Sequence, residues 1–259
     1  MTIQLRQICL VAKDLDGVVD DLTNILGISS CYIDPGVAKF GLANNLMPIG
    51  RNFLEVVSPI QANTAGGRYL ERRGGDGGYM VITQLDSFAE QQRLRQRALD
   101  QGVRVAHEHS NEHWTLTQLH PRDLQAAFLE LEYNSGADFE GHWDPVGGTG
   151  WEDKVKQDVV TDFLGVELQS DDPEALATLW GQCIDEPVSV NDQGQPCVQM
   201  NNALLRFVAD TDGRGPGLGG LDIAVANRDH ILREAKARDC FVSDDLVTIC
   251  GTRWYLADA

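Results

Sequence analysis

The stretch Gln7–Gly27, with the sequence QICLVAKDLDGVVDDLTNILG, decides the fold because it combines a strand, a turn and a helix. Its apolar run ends at Ala12, and after KDLD the apolar residues recur at helical spacing. Asp14 or Asp16 can accept hydrogen bonds from the first turn of that helix, and Gly27 suits the position just past its end. Neither element is stable alone, and the same pattern returns three times later in the chain.

The pattern repeats as four modules, each with the order strand, helix and three further strands. In the first module CYIDPG, VAKFGLANN and GRNFLEVVSPI follow the helix, and Glu55 lies in the last of these segments. The second runs from YMVITQL, through a helix from Phe88 to about Gln101, to QAAFLELEY, which contains Glu130. FLGVELQSDDPEALATLWGQCI opens the third module and GLGGLDIAVANRDHILREAKARDC the fourth. This tandem repeat predicts an α+β fold of four βαβββ modules.

One segment interrupts the repeat. Residues 134–156 contain HWDPVGGTGW, which is typical of a connection between modules. We therefore expect a first domain at residues 1–135, a linker at 136–160 and a second domain at 161–259. The lone carboxylate of Glu55 in so apolar a strand must be solvated, paired or bound to a cation, because burying it alone costs several kcal/mol.

Composition excludes several functions. The formal net charge of −18 repels nucleic acid and anionic lipid, and no cluster of Lys and Arg with interleaved aromatic residues offsets it. No apolar run approaches the length of a membrane span, and the start MTIQLRQICL lacks the features of a signal peptide, so we expect a cytoplasmic protein. The six cysteines are scattered without CxxC spacing, which favours reduced structural thiols.

Four segments carry a resemblance to a known superfamily. QICLVAKDLD, LMPIGRNFLEVVSP, LHPRDLQAAFLELE and GVELQSDDPEALATLW resemble the vicinal oxygen chelate superfamily, the glyoxalase and bleomycin-resistance type of fold. The resemblance implies that modules pair into half-open barrels, so that four modules form two. It also implies a concave face that commonly holds a divalent metal. The implied activities are those of a lyase, isomerase, epimerase, dioxygenase or thiol transferase, or simple binding.

The resemblance places candidate metal ligands in the first and last strands of the modules. Gln7 takes the first-strand position of module one, and Glu55 and Glu130 take the last-strand positions of modules one and two. The first-strand position of module two is Tyr79, or Met80 if the register slips, where the superfamily more often has His. Two carboxylates and an amide oxygen suit Mg, Mn, Ni or Zn. Alternatively, these side chains satisfy one another inside a filled barrel.

The first barrel also supplies candidate catalytic and substrate-binding groups. In the metal-dependent form the ion polarises a carbonyl while Glu130 or Glu55 moves a proton. Tyr79 can offer its hydroxyl to a substrate or act as an acid, and His120 is either an acid–base group at the cavity rim or a turn residue. The expected substrate contacts are Phe53, Tyr79, Trp114, Phe128 and Arg72.

Two polar clusters each have two interpretations. A basic island in GGRYLERRGG consists of Arg68, Arg72 and Arg73. It can grip an anionic tail, such as that of glutathione or coenzyme A, or form a solvated helix face. A histidine tract consists of His107, His109 and His113. It can bind metal, with two members on one strand face, or serve as a polar loop.

The second barrel lacks comparable ligands. Its corresponding positions hold Leu164, Phe207, Asp222 and Tyr255. Extradiol dioxygenases of this superfamily place two His and one Glu in this pair of modules. Because these positions hold other residues here, we do not expect an iron dioxygenase. A structural or lid-like role is expected for this half.

Two functions from different classes remain. The first is a metal-dependent lyase or isomerase that acts on a small carbonyl or hydroxy substrate in the first barrel. The second is a metal-free protein that binds or sequesters a small molecule in the same cup. Both take a small-molecule partner, and barrels that close between two chains would make a homodimer.

Overall fold

A computed structural model describes residues 3–136, 138, 139, 141, 143 and 146–259. Over these residues the α-helices are α1 (Leu15–Leu26), α2 (Ala65–Arg73), α3 (Phe88–Asp100), α4 (Pro173–Ile184) and α5 (Arg228–Ala237). Two short 3₁₀-helices cover Pro35–Phe40 and Trp151–Lys154. The strands are β1 (Ile3–Val11), β2 (Leu42–Ile49), β3 (Asn52–Pro59), β4 (Gly77–Leu85), β5 (Val105–Ser110), β6 (Trp114–Leu119), β7 (Phe128–Asn134), β8 (Val160–Ser170), β9 (Val188–Val190), β10 (Pro196–Gln199), β11 (Leu204–Ala209), β12 (Gly217–Val225), β13 (Phe241–Ser243), β14 (Leu246–Ile249) and β15 (Thr252–Asp258).

The α+β class and the module order are confirmed. Modules two, three and four each run strand, helix, strand, strand, strand. In each of them the last strand pairs in parallel with the first, as β7 with β4, β11 with β8 and β15 with β12. The two middle strands then add in antiparallel order.

The stretch from residue 7 to residue 27 folds as expected. Asp14 caps α1 by accepting a hydrogen bond of 3.2 Å from the Gly17 N–H, so the first of the two candidate caps is used. Gly27 ends the helix in the left-handed region, with φ of 66°. The apolar face of the helix is buried at Val18, Leu22, Ile25 and Leu26.

Module one departs from the repeat after α1. The segment CYIDPG, expected to be a strand or an extended segment, forms a single isolated bridge between Tyr32 and Leu46. Asp34 accepts a hydrogen bond from the Gly36 N–H at 2.7 Å, and Pro35 begins a 3₁₀-helix. Since proline has no N–H to give to a strand pair, the chain turns there rather than extending. An additional helix, α2, follows β3.

The chain forms two compact units, each discontinuous in sequence. Unit 1 comprises Met1–Gln7, Tyr79–Asp144 and Gly165–Leu218, and therefore contains most of modules two and three. Unit 2 comprises Ile8–Gly78, Pro145–Leu164 and Gly219–Ala259, and contains most of modules one and four. The division into domains at 1–135 and 161–259 stays a prediction.

The segment expected to be a linker contributes buried side chains. Trp143 is completely buried in unit 1, and Trp151 is buried in unit 2. A buried indole removes a large apolar area from water, so these tryptophans anchor the segment to the units. Trp143 and Trp151 therefore belong to the packed structure.

Two compositional expectations can be compared with the structure. All six cysteines are free thiols. Over the described part of the chain, no helix is long and apolar enough to cross a membrane.

Candidate functional site

The register of module two places its polar residues in two rows across one sheet face. In the first row Glu130 on β7 lies between Gln118 on β6 and Ile82 on β4, and His107 on β5 follows Gln118. In the second row Glu132 lies between Leu116 and Gln84, and His109 follows Leu116. We call the face that carries these two rows the carboxylate face.

Helix α3 packs against the opposite face of the same strands. Gln91, which is fully buried, donates hydrogen bonds to Thr117 Oγ1 at 3.0 Å and to the Leu131 carbonyl at 3.2 Å. Thr117 and Leu131 are register partners on β6 and β7. Because successive strand residues point to opposite sides, the helix covers one face and leaves the carboxylate face to other groups.

Glu130 and Glu132 form a buried carboxyl pair on the carboxylate face. They are 5% and 1% exposed. Burial raises the pKa of Glu130, while hydrogen bonds with Gln118 and Glu132 lower it by less. Burial, the charge of Glu130 and a hydrogen bond to Glu130 raise the pKa of Glu132 well above its usual range. Both shifts favour the protonated form, more strongly at Glu132, which as a neutral carboxyl would donate a hydrogen bond to Glu130.

Side-chain amide and indole groups surround this pair. Gln118 Nε2 donates to Glu130 Oε2 at 2.8 Å, which favours the charged form of Glu130. The indole N–H groups of Trp114 and Trp143 lower the pKa of Glu132, but by less than burial and Glu130 raise it. Of the two carboxyls, these contacts favour a proton on Glu132 over one on Glu130.

A buried arginine completes the face. Arg6 is fully buried, and its guanidinium donates to Gln84 Oε1 at 2.8 Å. It also donates to three backbone carbonyls, those of Asp138 at 3.0 Å, Phe139 at 2.7 Å and Gly141. The Trp143 ring lies beside it, with 5.4 Å from the guanidinium carbon to the ring centroid. We call Asp138, Phe139, Gly141 and Trp143 the cover residues.

Glu55 and Phe53 lie on β3 in unit 2. Glu55 is 8% exposed and accepts a hydrogen bond of 2.6 Å from Asn44 Nδ2, so it is buried but paired. Phe53 is fully buried and packs edge-on against Trp151, with ring centroids 4.8 Å apart. The expectation that Glu55 needs a partner is thus met by an amide donor.

The structure groups three further candidates at the start of β7. The Tyr79 ring packs edge-on against Phe128 at 5.1 Å, and the His120 ring lies 6.5 Å from Phe128. Met80, the alternative to Tyr79, is the register partner of Phe128, so Met80 shares a face with Phe128 and Glu130. Tyr79 and His120 thus lie on either side of Phe128, which is two residues before Glu130 on the same strand face.

The histidine tract and the basic island lie in different surroundings. His107 and His109 share one face of β5 and are half-buried, and the His109 ring lies 4.8 Å from Trp114. His113 is an exposed turn residue beside Glu112. On α2 the exposed Arg72 lies over the Tyr69 ring at 5.4 Å, while Arg68 is exposed and Arg73 is buried.

The corresponding positions of modules three and four hold side chains of other types. In module three the register partners equivalent to Ile82 and Glu130 are Glu167 and Arg206, which form a largely buried ion pair at 3.2 Å. Phe207, one residue further, packs against Trp180 of α4. In module four the equivalent partners are Asp222 and Tyr255. Leu164 is 40% exposed.

Groups of the protein itself already bind the side chains of the carboxylate face. Gln118 donates a hydrogen bond to Glu130, Glu130 and Glu132 are hydrogen-bonded to each other, and the Arg6 guanidinium donates to Gln84. Among the residues that the structure describes, no group of three His, Cys, Asp or Glu side chains is placed to hold a metal ion. Gln7 and Glu130 belong to unit 1 and Glu55 to unit 2, so their metal site stays a prediction.

Sequence reasoning missed four members of the carboxylate face: Arg6, Gln84, Gln118 and Glu132. A signal was present for one of them, because Glu132 follows Glu130 at the two-residue spacing of a shared strand face. Gln84 and Gln118 become recognisable only when the register brings them beside the carboxyls. Arg6 is defined by its contact with residues more than 130 positions away.

Comparisons with known proteins support the fold. No protein-family model and no curated protein matches the chain. A hypothetical protein from Staphylococcus aureus is 13% identical, with a TM-score of 0.65 over 100% of both chains. A triple mutant of 4-hydroxymandelate synthase from Streptomyces coelicolor is 15% identical, with a TM-score of 0.66 over 92% of this chain and 76% of that one. Methylmalonyl-CoA epimerase is 20% identical over 53% of this chain and 99% of that one, with a TM-score of 0.45. At such identities likeness establishes the fold alone, and this chain shares its fold with the Staphylococcus aureus protein and with 4-hydroxymandelate synthase.

Proposed function

We propose that this glyoxalase-like protein is an isomerase or lyase that moves a proton on a small carbonyl or hydroxy substrate at the carboxylate face. The observation that carries the proposal is the buried, hydrogen-bonded carboxyl pair Glu130–Glu132, in which burial raises the pKa of both groups. A charged carboxylate beside a protonated carboxyl provides a base and an acid at the same site. Perturbed carboxyls of this kind concentrate at catalytic sites, although structural pairs also occur.

The two carboxyls have distinct roles. Glu130, held in its charged form by Gln118, removes a proton from the carbon next to the substrate carbonyl. Glu132 gives its proton to the carbonyl oxygen, so the product of the step is a neutral enol. In an isomerisation Glu130 then gives its proton to a different carbon while an enol hydroxyl returns a proton to Glu132. In an elimination the enol hydroxyl likewise returns its proton to Glu132, and Glu130 protonates the leaving group as its bond to carbon breaks. No net proton is gained or lost by the pair in the isomerisation.

Hydrogen exchange with solvent tests this proposal without knowledge of the product. The purified protein is incubated in D₂O with a panel of small hydroxy ketones, 2-hydroxy acids and 2-oxo acids, and NMR records the loss of each C–H signal. We expect enzyme-dependent exchange for at least one compound. Glu130→Gln should slow that exchange by about 100-fold or more, because a neutral amide cannot act as the base.

Two controls make the exchange experiment decisive. Glu112→Gln changes a carboxylate that is 84% exposed, and should leave the rate unchanged. Glu132→Gln should slow exchange because the proton donor is lost. Exchange that persists at the parent rate in both Glu130→Gln and Glu132→Gln would show that the carboxyl pair does not act in the reaction.

The metal-dependent form of the proposal has its own test. Metal analysis of the parent, after supplementation with Mg, Mn, Ni or Zn, should find one divalent ion per chain if Gln7, Glu55 and Glu130 bind one. The Glu55→Ala, Glu130→Ala double variant should then lose it. If a chelator leaves the rate of hydrogen exchange unchanged, the reaction needs no divalent ion, and the carboxyl pair alone would carry it out.

A second candidate is a metal-free binding protein. It is favoured by the aromatic side chains near the carboxyls, since Trp114 contacts His109 and Phe128 contacts Tyr79. Saturable binding of a small molecule without any hydrogen exchange would support it over the enzyme. A cytoplasmic location, and a homodimer formed by barrels that close between chains, stay predictions from the sequence.

A further inference from the structure

A cavity of about 410 Å³ lies beside strand β9 in unit 1. Its walls come from α3, from the last two turns of α4 and from the connection that leads into β9. The guanidinium of Arg97 lines this cavity, forms an ion pair with Asp185 at 2.8 Å and donates to the Gln182 carbonyl at 3.1 Å. Arg97 and Asp185 therefore offset each other's charge, whereas Glu186 adds a further negative charge to the wall.

The surroundings of Glu186 favour a positively charged ligand. Partial burial raises the pKa of Glu186, and the negative charges of Asp185 and Glu90 add to this effect. The carboxylate is thus less stable in its charged form here than in water. A cation placed in the cavity would stabilise that charged form.

Strand β9 forms an open edge of the sheet next to this cavity. Among the described strands it pairs only with β10, and all three of its residues are exposed. Val188 is 43% exposed and Val190 is 68% exposed, although both are apolar. Because Val188 also lines the cavity, the open edge and the cavity are continuous.

The pairing of β9 with β10 shows which main-chain groups this edge offers. The Asn191 N–H donates to the Gln195 carbonyl at 3.0 Å, which makes these two residues a hydrogen-bonded pair. Such pairs alternate with non-hydrogen-bonded pairs along an antiparallel ladder. Ser189 therefore bonds to β10, and the N–H and C=O groups of Val188 and Val190 point away from it. These groups are placed to pair with one more strand.

We propose that the β9 edge and the cavity beside it bind an extended, basic peptide segment. The segment adds a strand to the sheet through main-chain hydrogen bonds with Val188 and Val190, and one of its Lys or Arg side chains enters the cavity towards Glu186. The net charge of −18 attracts a basic partner and repels an acidic one. This inference goes beyond the proposed function, since the carboxylate face lies on β4 to β7 of module two.

NMR of the isotope-labelled chain near pH 7 can locate and measure this binding. The probe is the peptide Lys-Thr-Val-Thr-Lys with blocked ends, whose symmetry brings a lysine to Glu186 in either strand direction. One control peptide has methylated main-chain nitrogens, and the other has acetyl-lysine, which is uncharged. We expect the probe to shift the amide signals of β9 saturably. Each control should bind about fivefold more weakly or worse, since each lacks one of the two recognised features.

Two variants test the two halves of the site. Glu186→Gln should weaken binding of the probe about fivefold, whereas Glu174→Gln, an exposed change in the first turn of α4, should leave it unchanged. Val190→Pro removes an outward N–H and keeps the bonds of Ser189 to β10, so it should weaken binding about tenfold or more. Val190→Thr keeps that N–H and is its matched control.

Four outcomes would overturn the inference. They are the absence of any saturable shift at β9, equal binding of the methylated peptide and the probe, unchanged binding in Glu186→Gln, and equal binding of N-acetyl-lysine amide and the probe. The last would mean that the cavity takes a small amine alone. If Val190→Pro does not fold, the methylated peptide tests the same edge on the parent.

Discussion

Replacement of Glu132 by glutamine should change how stability depends on pH. In the folded chain Glu132 keeps its proton well above its usual pKa, because it is buried beside the charge of Glu130. In the unfolded chain glutamate releases its proton near pH 4.3, at about its reference pKa. Between these two pKa values the folded state holds one proton more than the unfolded state.

The magnitude follows from this difference of one proton. The free energy of unfolding of the parent should fall by about 1.4 kcal/mol for each pH unit above the unfolded pKa, until the folded pKa is reached. Below the unfolded pKa the contribution of Glu132 is fully present. In Glu132→Gln the neutral amide has no proton to lose, and it can still donate to Glu130, so this part of the slope should disappear.

Urea unfolding at several pH values between about 5 and 7 measures directly how the free energy of unfolding changes with pH. Glu132→Gln should gain stability over the parent as pH rises, whereas the exposed control Glu112→Gln should follow the parent. Glu130→Gln should also reduce the slope, since its charge contributes to the raised pKa of Glu132. A parent whose stability is constant or rises over this range would refute the proton assigned to Glu132.

Two further predictions concern other parts of the chain. Gly147 has φ of 81°, and a Cβ there would lie 2.5 Å from the ring of the fully buried Phe53, so Gly147→Ala should lower the free energy of unfolding by about 2 to 4 kcal/mol. Gly194→Ala, with φ of 78° and no atom within 4 Å, should cost only about 1 to 2 kcal/mol of backbone strain, and equal losses in the two would contradict the close approach. Hydrogen bonding from Arg104 lowers the pKa of Asp123 to about 2, so its stabilising effect is present near neutral pH and is lost as pH falls through that value. NMR titration should find Asp123 near pH 2 in the parent and back near its usual pKa in Arg104→Gln; an unchanged value would exclude Arg104 as the cause.

Local patterns in the chain were enough to identify the modules. Helical spacing after KDLD, a capping residue at Asp14 and a glycine at Gly27 act over a few residues, and the structure confirms all three. The apolar segments GRNFLEVVSPI and QAAFLELEY likewise predict strands that contain the carboxylates Glu55 and Glu130. Both are indeed buried and both have a side-chain amide donor, Asn44 and Gln118 respectively.

Two features could not be derived from local patterns. CYIDPG is compatible with a strand or an extended segment, and Pro35 and the Asp34 cap turn the chain before it can pair along its length. In module three Phe207 lies near the centre of the closing strand, as expected, but the strand register gives the position equivalent to Glu130 to its neighbour Arg206, which is paired with Glu167. A shift of one residue exchanges the two faces of a strand, so a register error of this size changes every candidate.

The sequence by itself determined the α+β class, the fourfold repeat and the presence of carboxylates in apolar strands, because each depends on spacing along the chain. Only the tertiary structure decided what surrounds those carboxylates. Glu132 becomes the partner of Glu130 through a shared strand face, and Arg6 and Trp143 join them from distant segments. The raised pKa of Glu132 requires burial and close approach, and these are properties of the folded arrangement that no local pattern contains.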